Sequence, residues 1–227
     1  RTYCPADVEF QVLNKPKFDL EKEIIKKYPH FFSNFENYVI INKYIDPDLK
    51  YNTLSKKCNI ALAEAYFPIY KLSEYNKTME LYGKEQITLN ENEYVVYYDQ
   101  KDADNYYNSI PAEGINITVL GKELTPADNW CRKGTILLAP FPFNDGIIVV
   151  PDNTVSENNV LQSIMIGSYG KKTKAEKGLA DSSVEYMCKE TSKSLEEKYE
   201  IRTLALTTFR TEIENELIGT SSLMVFL

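Results

Sequence analysis

Residues 73–83 read SEYNKTMELYG, and residues 93–98 read EYVVYY. In the first segment Tyr75, Met79 and Tyr82 recur at helical spacing. Ser73 stands where a side-chain N-cap belongs, and Gly83 where a left-handed residue closes a helix. The second segment is rich in β-branched and aromatic residues and reads as a strand. A helix leads into a strand here, and no strict βαβ rhythm follows elsewhere. That combination makes the class α+β, with a mixed, largely antiparallel sheet and several short helices.

The same reading extends in both directions. Upstream, residues 7–13 (DVEFQVL) place Val8, Phe10 and Val12 on one face of a strand. Leu20, Ile24 and Tyr28 then mark a short amphipathic helix that Pro29 ends. Residues 37–46 (NYVIINKYID) form another strand. Downstream, residues 115–124 (INITVLGKEL) predict a hairpin turning at Gly121 and Lys122. Strands are expected at 135–139, 146–150, 161–166 and 200–208. The capping-box spacings Ser182/Glu185 and Thr211/Glu214 open two helices, the second running to the C-terminus. Neither an internal repeat nor a Gly-, Ser- or Pro-rich linker divides residues 1–227, which read as a single domain of one lobe or two.

With 227 residues, 43% hydrophobic and 26% charged, the chain can bury an ordinary core without disulfide staples. The cysteines Cys4, Cys58, Cys131 and Cys188 form no CxxC pair and are expected to be mostly unpaired. A net charge of −7 argues against a general nucleic-acid binder, which needs a cationic footprint. No apolar run reaches the length of a membrane span. The last stretch, residues 217–227 (LIGTSSLMVFL), nevertheless stops inside an apolar run. It reads as a cut where a membrane helix begins, against the plainer alternative of a terminal helix docked on the core.

Catalytic signals are weak. One histidine, His30, excludes paired-histidine metal chemistry, and nothing in sequence supplies it with a nucleophile or an orienting acid. Residues 167–170 (GSYG) lack nucleophile-elbow spacing, and no phosphate-binding glycine loop occurs. Residues 102–113 resemble a calcium loop at three positions but put Tyr107 where the sharp turn requires glycine. Glu91 and Glu93 could serve as paired carboxylates, with acidic surface as the default reading. The sequons at Asn76 and Asn116 are chance-level matches. No catalytic residue, metal or cofactor is expected.

Charge placement says more. Residues 61–131 sum to −7, against +2 before them and −2 after. Within that third lie Tyr94, Tyr97, Tyr98, Asp99, Asp102, Asp104, Tyr106 and Tyr107, a mixture of aromatics and carboxylates that suits a cationic or amphipathic ligand. The competing reading makes the tyrosines sheet residues and the carboxylates solvated surface.

Residues 70–89 (YKLSEYNKTMELYGKEQITL), followed by 93–97 (EYVVY), resemble the large extracellular domain of FtsX-like ABC transporter permeases. The likeness is to Firmicute (Gram-positive) members of the bacitracin-export type, and residues 211–227 look like the stalk leading into the next membrane helix. The resemblance implies an extracellular domain of a cell-membrane protein that works with a separate ATP-binding cassette subunit. It also implies antimicrobial peptides or lipid-linked cell-wall precursors as ligands, and for some members a membrane histidine kinase as partner. The family's motifs are structural, so no binding residue carries over. Rival readings are a stand-alone surface or secreted carboxylate-dependent hydrolase, and an adhesin or scaffold module.

Overall fold

The β-branched and aromatic runs become strands, and their alternation decides which side chains meet. A computed structural model describes residues 8–13, 16–27, 35–54, 65–98, 113–133, 146–169 and 200–205. Nine strands lie within them: β1 (Val8–Val12), β2 (Phe35–Tyr44), β3 (Ile69–Lys71), β4 (Glu93–Tyr98), β5 (Ile117–Val119), β6 (Lys122–Lys133), β7 (Ile147–Val150), β8 (Val160–Tyr169) and β9 (Ile201–Ala205). They are hydrogen-bonded in the order β5-β6-β4-β7-β3-β2-β8-β1-β9. Only β3–β7 and β4–β6 run parallel. The helices are a π-helical turn (Glu21–Ile25), a single turn (Tyr51–Leu54), one longer helix (Leu72–Leu81) and two 3-10 turns (Asp152–Thr154 and Glu157–Asn159), so the fold is α+β with a mixed, largely antiparallel sheet. The strand expected at 135–139 and the helices expected at 182–195 and 211–227 lie outside the described residues.

Both faces of the sheet centre are covered, which is why β7 (IIVV) is buried at every position. On one face Tyr44, Phe67, Ile69, Tyr94, Val96 and Ile148 pack together. On the other, Ile41, Tyr70, Val95, Val149, Ile164 and Ile166 lie under Tyr75, Met79 and Tyr82 of the long helix. The amphipathic face read from sequence is therefore the one that covers the sheet. A third cluster joins Phe10 and Val12 of β1 to Leu20, Ile24 and Met165.

Two local expectations are corrected. Ser73 does not cap the long helix, since Lys71 holds the cap position without a side-chain bond. The Ser73 N–H is instead satisfied from outside, donating to Asp152 Oδ1 at 2.9 Å, where a carboxylate also suits the positive end of the helix. The C-terminal end is as expected: Gly83 is left-handed at φ +60, and Lys84 N–H reaches Met79 O at 2.8 Å in a Schellman closure. In the hairpin, Val119 pairs with Lys122, so the turn residues are Leu120 and Gly121, one position earlier than expected. Both have positive φ (49 and 84), the geometry that matches strand twist in a two-residue turn.

Gly114 is held at φ +71, and a Cβ there would lie 2.7 Å from Pro126 and 2.9 Å from Trp130. Gly83 has a similar φ but open space around it. Gly114→Ala is expected to cost about 2–4 kcal/mol, combining backbone strain with overpacking, and Gly83→Ala about 1 kcal/mol from strain alone. Urea unfolding of the two variants measures the difference, and equal costs would contradict the packing described.

Candidate functional site

Backbone pairing between β2 and β3 is confined to one position, Tyr44 with Ile69. On its other side β2 pairs with β8 along most of its length. Because β3 ends at Lys71 and the chain turns at once into the long helix, the β2–β3 ladder goes no further than Tyr44. Glu74, in the first turn of that helix, fills the gap. Its Oε2 accepts the Asn42 backbone N–H at 2.8 Å, and its Oε1 accepts Asn42 Nδ2 at 2.8 Å and the Tyr44 hydroxyl at 3.4 Å. Asn42 Oδ1 in turn accepts from Ser163 Oγ of β8. Lys71 Nζ stands 5.2 Å above the Tyr44 ring. A polar chain Ser163–Asn42–Glu74–Tyr44 thus crosses the middle of the sheet.

The electrostatics follow from this setting. Burial pushes the Glu74 carboxyl above its ordinary range, opposed by the two Asn42 donors, the Lys71 charge and the Tyr44 hydroxyl. Burial first, and the Glu74 charge second, push the Tyr44 hydroxyl up. Glu74 therefore ionises at a cost that its hydrogen bonds only partly offset.

A further carboxylate, this one buried, sits just past the end of β2. Asp46, 4% exposed, accepts the Leu120 N–H at 2.6 Å and the Asp48 N–H at 2.9 Å. It ties the end of β2 to the β5–β6 turn and steadies Leu120, a branched residue in a left-handed conformation.

The residues singled out from sequence are placed differently. Tyr94 is wholly buried, with its hydroxyl donating to Ile115 O at 2.6 Å and its ring 6.0 Å from Trp130. Tyr97 belongs to the opposite face, half-buried and stacked on Tyr75 at 5.2 Å. Strand alternation thus separates these two, and Tyr94, as a core residue, offers no ligand surface. Tyr98 ends β4, while Asp99, Asp102, Asp104, Tyr106 and Tyr107 lie outside the described residues, as does His30. Glu93 is occupied in a turn, where the Asn90 backbone and side-chain donors hold its carboxyl below the ordinary range. Asn76 is clamped by Ile87 through both its amide nitrogen and its oxygen. Half-buried Cys131 lies in β6, and the other three cysteines lie outside the described residues. Among the described residues no three His, Cys, Asp or Glu side chains gather as a metal site, and no helix is long and apolar enough to cross a membrane.

Asn42 and Glu74 are the pair that sequence reasoning missed. Glu74 was visible as a polar residue inside the helix, but its partner is 32 positions away in a strand. An asparagine interrupting the apolar run of β2 is the one local signal.

No family model matches the chain, and no curated protein matches it. Among solved structures, a protein described as a lipoprotein from Bacillus anthracis is similar at TM-score 0.45 and 10% identity, over 88% of this chain and 96% of that one. The periplasmic region of MacB from Actinobacillus actinomycetemcomitans is similar at TM-score 0.37 and 12% identity, over 93% and 94%. A domain of a protein described as a permease from Porphyromonas gingivalis gives TM-score 0.29 and 9% identity, over 87% and 86%. These are distant likenesses, and the functional reading below rests on the chain's own residues.

Two outcomes are expected at Glu74. Glu74→Ala should cost about 2 kcal/mol or more, because it leaves the Asn42 donors without their acceptor. Since the folded-state pKa of Glu74 is raised, its contribution is full below the ordinary glutamate pKa and is lost as pH rises through the folded value. Wild-type stability relative to Glu74→Gln, which cannot titrate, should therefore be greater near about pH 4 than near about pH 8. Chemical denaturation of both proteins across that range checks the sign.

Proposed function

We propose that this chain is the extracellular ligand-sensing and mechanical-coupling domain of a bacterial FtsX-like ABC transporter permease. The observation that carries the reading is the sequence resemblance over residues 70–89 and 93–97. Those residues supply β3, the long helix and β4, the elements that meet at the centre of the sheet. A sheet in which β2 and β3 share one ladder pairing, with a carboxylate bonding beyond it, suits a domain that passes movement between a ligand and membrane helices. In this reading the domain is not an enzyme. A separate ATP-binding cassette subunit supplies the energy, and a membrane histidine kinase is a further partner.

The ligand class proposed is cationic or amphipathic: antimicrobial peptides, or lipid-linked cell-wall precursors met together with them. The negative charge of residues 61–131 supports it, because a concentrated field speeds the arrival of cations. With Tyr94 in the core and Tyr97 against the helix, the contact residues proposed are Tyr98, Asp99, Asp102, Asp104, Tyr106 and Tyr107.

Stopped-flow binding of a fluorescent cationic antimicrobial peptide tests the reading. Affinity is expected to fall as salt rises from about 0.1 M to about 1 M, where the Debye length shrinks from about 10 Å to about 3 Å. Replacing Asp99, Asp102 and Asp104 together by Asn should slow association more than it speeds dissociation. Replacing Lys171, Lys172 and Lys174 should slow it much less. Binding that ignores salt, or equal effects from both sets, would contradict the charge argument. Failure to bind either cationic peptides or lipid-linked precursors would contradict the ligand class.

A further inference from the structure

We infer that the line between β2 and β3 is a hinge between two half-sheets, with the Glu74 carboxylate as its latch. The inference deepens the coupling reading above by naming the part that would move. One half is β5-β6-β4-β7-β3 and the other is β2-β8-β1-β9. Each half is laced by backbone ladders: β2 to β8 from Phe35 to Tyr44, β1 to both β8 and β9, and β7 to both β3 and β4. Across the line between them, the only strand-to-strand register among the described residues is Tyr44 with Ile69, and past the strand ends on that side a single antiparallel bridge, Lys50 with Tyr66, continues it.

The crossing contacts differ at the two ends of this line. At the Tyr44 end the halves are pinned, by that backbone pair and by Asp46 of the β2 end holding the Leu120 N–H. Toward Asn42 the closure is made by side chains, chiefly the two-oxygen grip of Glu74 on Asn42. The long helix follows β3 without a loop, and Asp152 of the same half holds its first turn. It therefore travels with β3. Its buried face lies on Ile41, Ile164 and Ile166 of the other half. Apolar contacts are non-directional and allow packed elements to slide by small amounts, whereas hydrogen bonds to a carboxylate lose strength steeply when misaligned. A small rotation about the Tyr44–Asp46 end would thus keep most of the core buried and break the Glu74–Asn42 contact first.

Residue-resolved amide hydrogen exchange on the whole chain without ligand tests this. In the wild type, the Asn42 amide should exchange through a local opening with little denaturant dependence, while the β2–β8 ladder amides exchange through larger openings with steep dependence. Glu74→Ala should speed Asn42 exchange about 10- to 100-fold, the factor expected for one lost hydrogen bond to a charged group, and leave the β2–β8 and β4–β7 ladders unchanged. Glu74→Gln, keeping one acceptor oxygen, should give a smaller increase. Two results would overturn the hinge: a wild-type Asn42 amide sharing the rate and denaturant dependence of the β2–β8 ladder, or a uniform rise across all strands in Glu74→Ala. If Glu74→Ala does not fold, the wild-type denaturant series decides alone. Because no ligand is present, this result is independent of whether the peptide-binding reading holds.

Discussion

Among the described residues the β2–β3 ladder stops at Tyr44, and the Glu74 carboxylate accepts the Asn42 N–H beyond it. A buried backbone donor left unpaired costs on the order of 1–3 kcal/mol, so a sheet this wide requires something at that place. A carboxylate from the first turn of a helix is a demanding answer. It brings a charge into a half-buried site, and its raised pKa records that cost. In return it satisfies a backbone donor and a side-chain donor in one grip, and it fixes the helix start against β2. The register of the long helix over Ile41, Ile164 and Ile166 follows from that contact.

The rest of the centre is arranged around the same gap. Ser163 on β8 orients the Asn42 amide so that its oxygen accepts and its nitrogen faces Glu74. Tyr44 adds a hydroxyl from one side, and its ring lies beneath Lys71. Asp152 holds the helix N-terminus, leaving Glu74 at the height of Asn42. Asp46 secures the other end of the line through Leu120. Carboxylates from three elements thus do what continuous backbone pairing does elsewhere in the sheet. Polar networks of this kind are directional and all-or-none, unlike the apolar layers on either side.

How much of this was legible in the sequence depended on range. The period-2 run Val8–Val12 and the β-branched and aromatic run Glu93–Tyr98 mark their strands within a residue or two, because alternation and composition are local signals. The Tyr75, Met79, Tyr82 face and the Gly83 closure were equally visible. The three-residue β3 was too short to show a period. The far half of β6 was hidden by Pro126 and by the left-handed Asn129 at its irregular pairing with β4. Ser73 misled as a cap because Asp152, 79 positions away, supplies the acceptor. The turn at Leu120 was read one residue late because leucine rarely takes positive φ, and only the distant Asp46 explains why it does so. Charge and composition, which single out the candidate ligand residues, carry no information about faces, and alternation sends Tyr94 and Tyr97 to opposite ones.

The order at the sheet centre depends on the Glu74 carboxylate being bonded to the Asn42 amide while both are part of the folded sheet. Carboxyl-carbon NMR of Glu74 during a pH titration, followed alongside the Asn42 amide proton, tests that contact directly. The carboxyl should titrate above the ordinary glutamate range, and the Asn42 amide proton should shift with the same midpoint, because its acceptor changes charge. A Glu74 titration at or below the ordinary range, together with an Asn42 amide that does not follow it, would contradict the account.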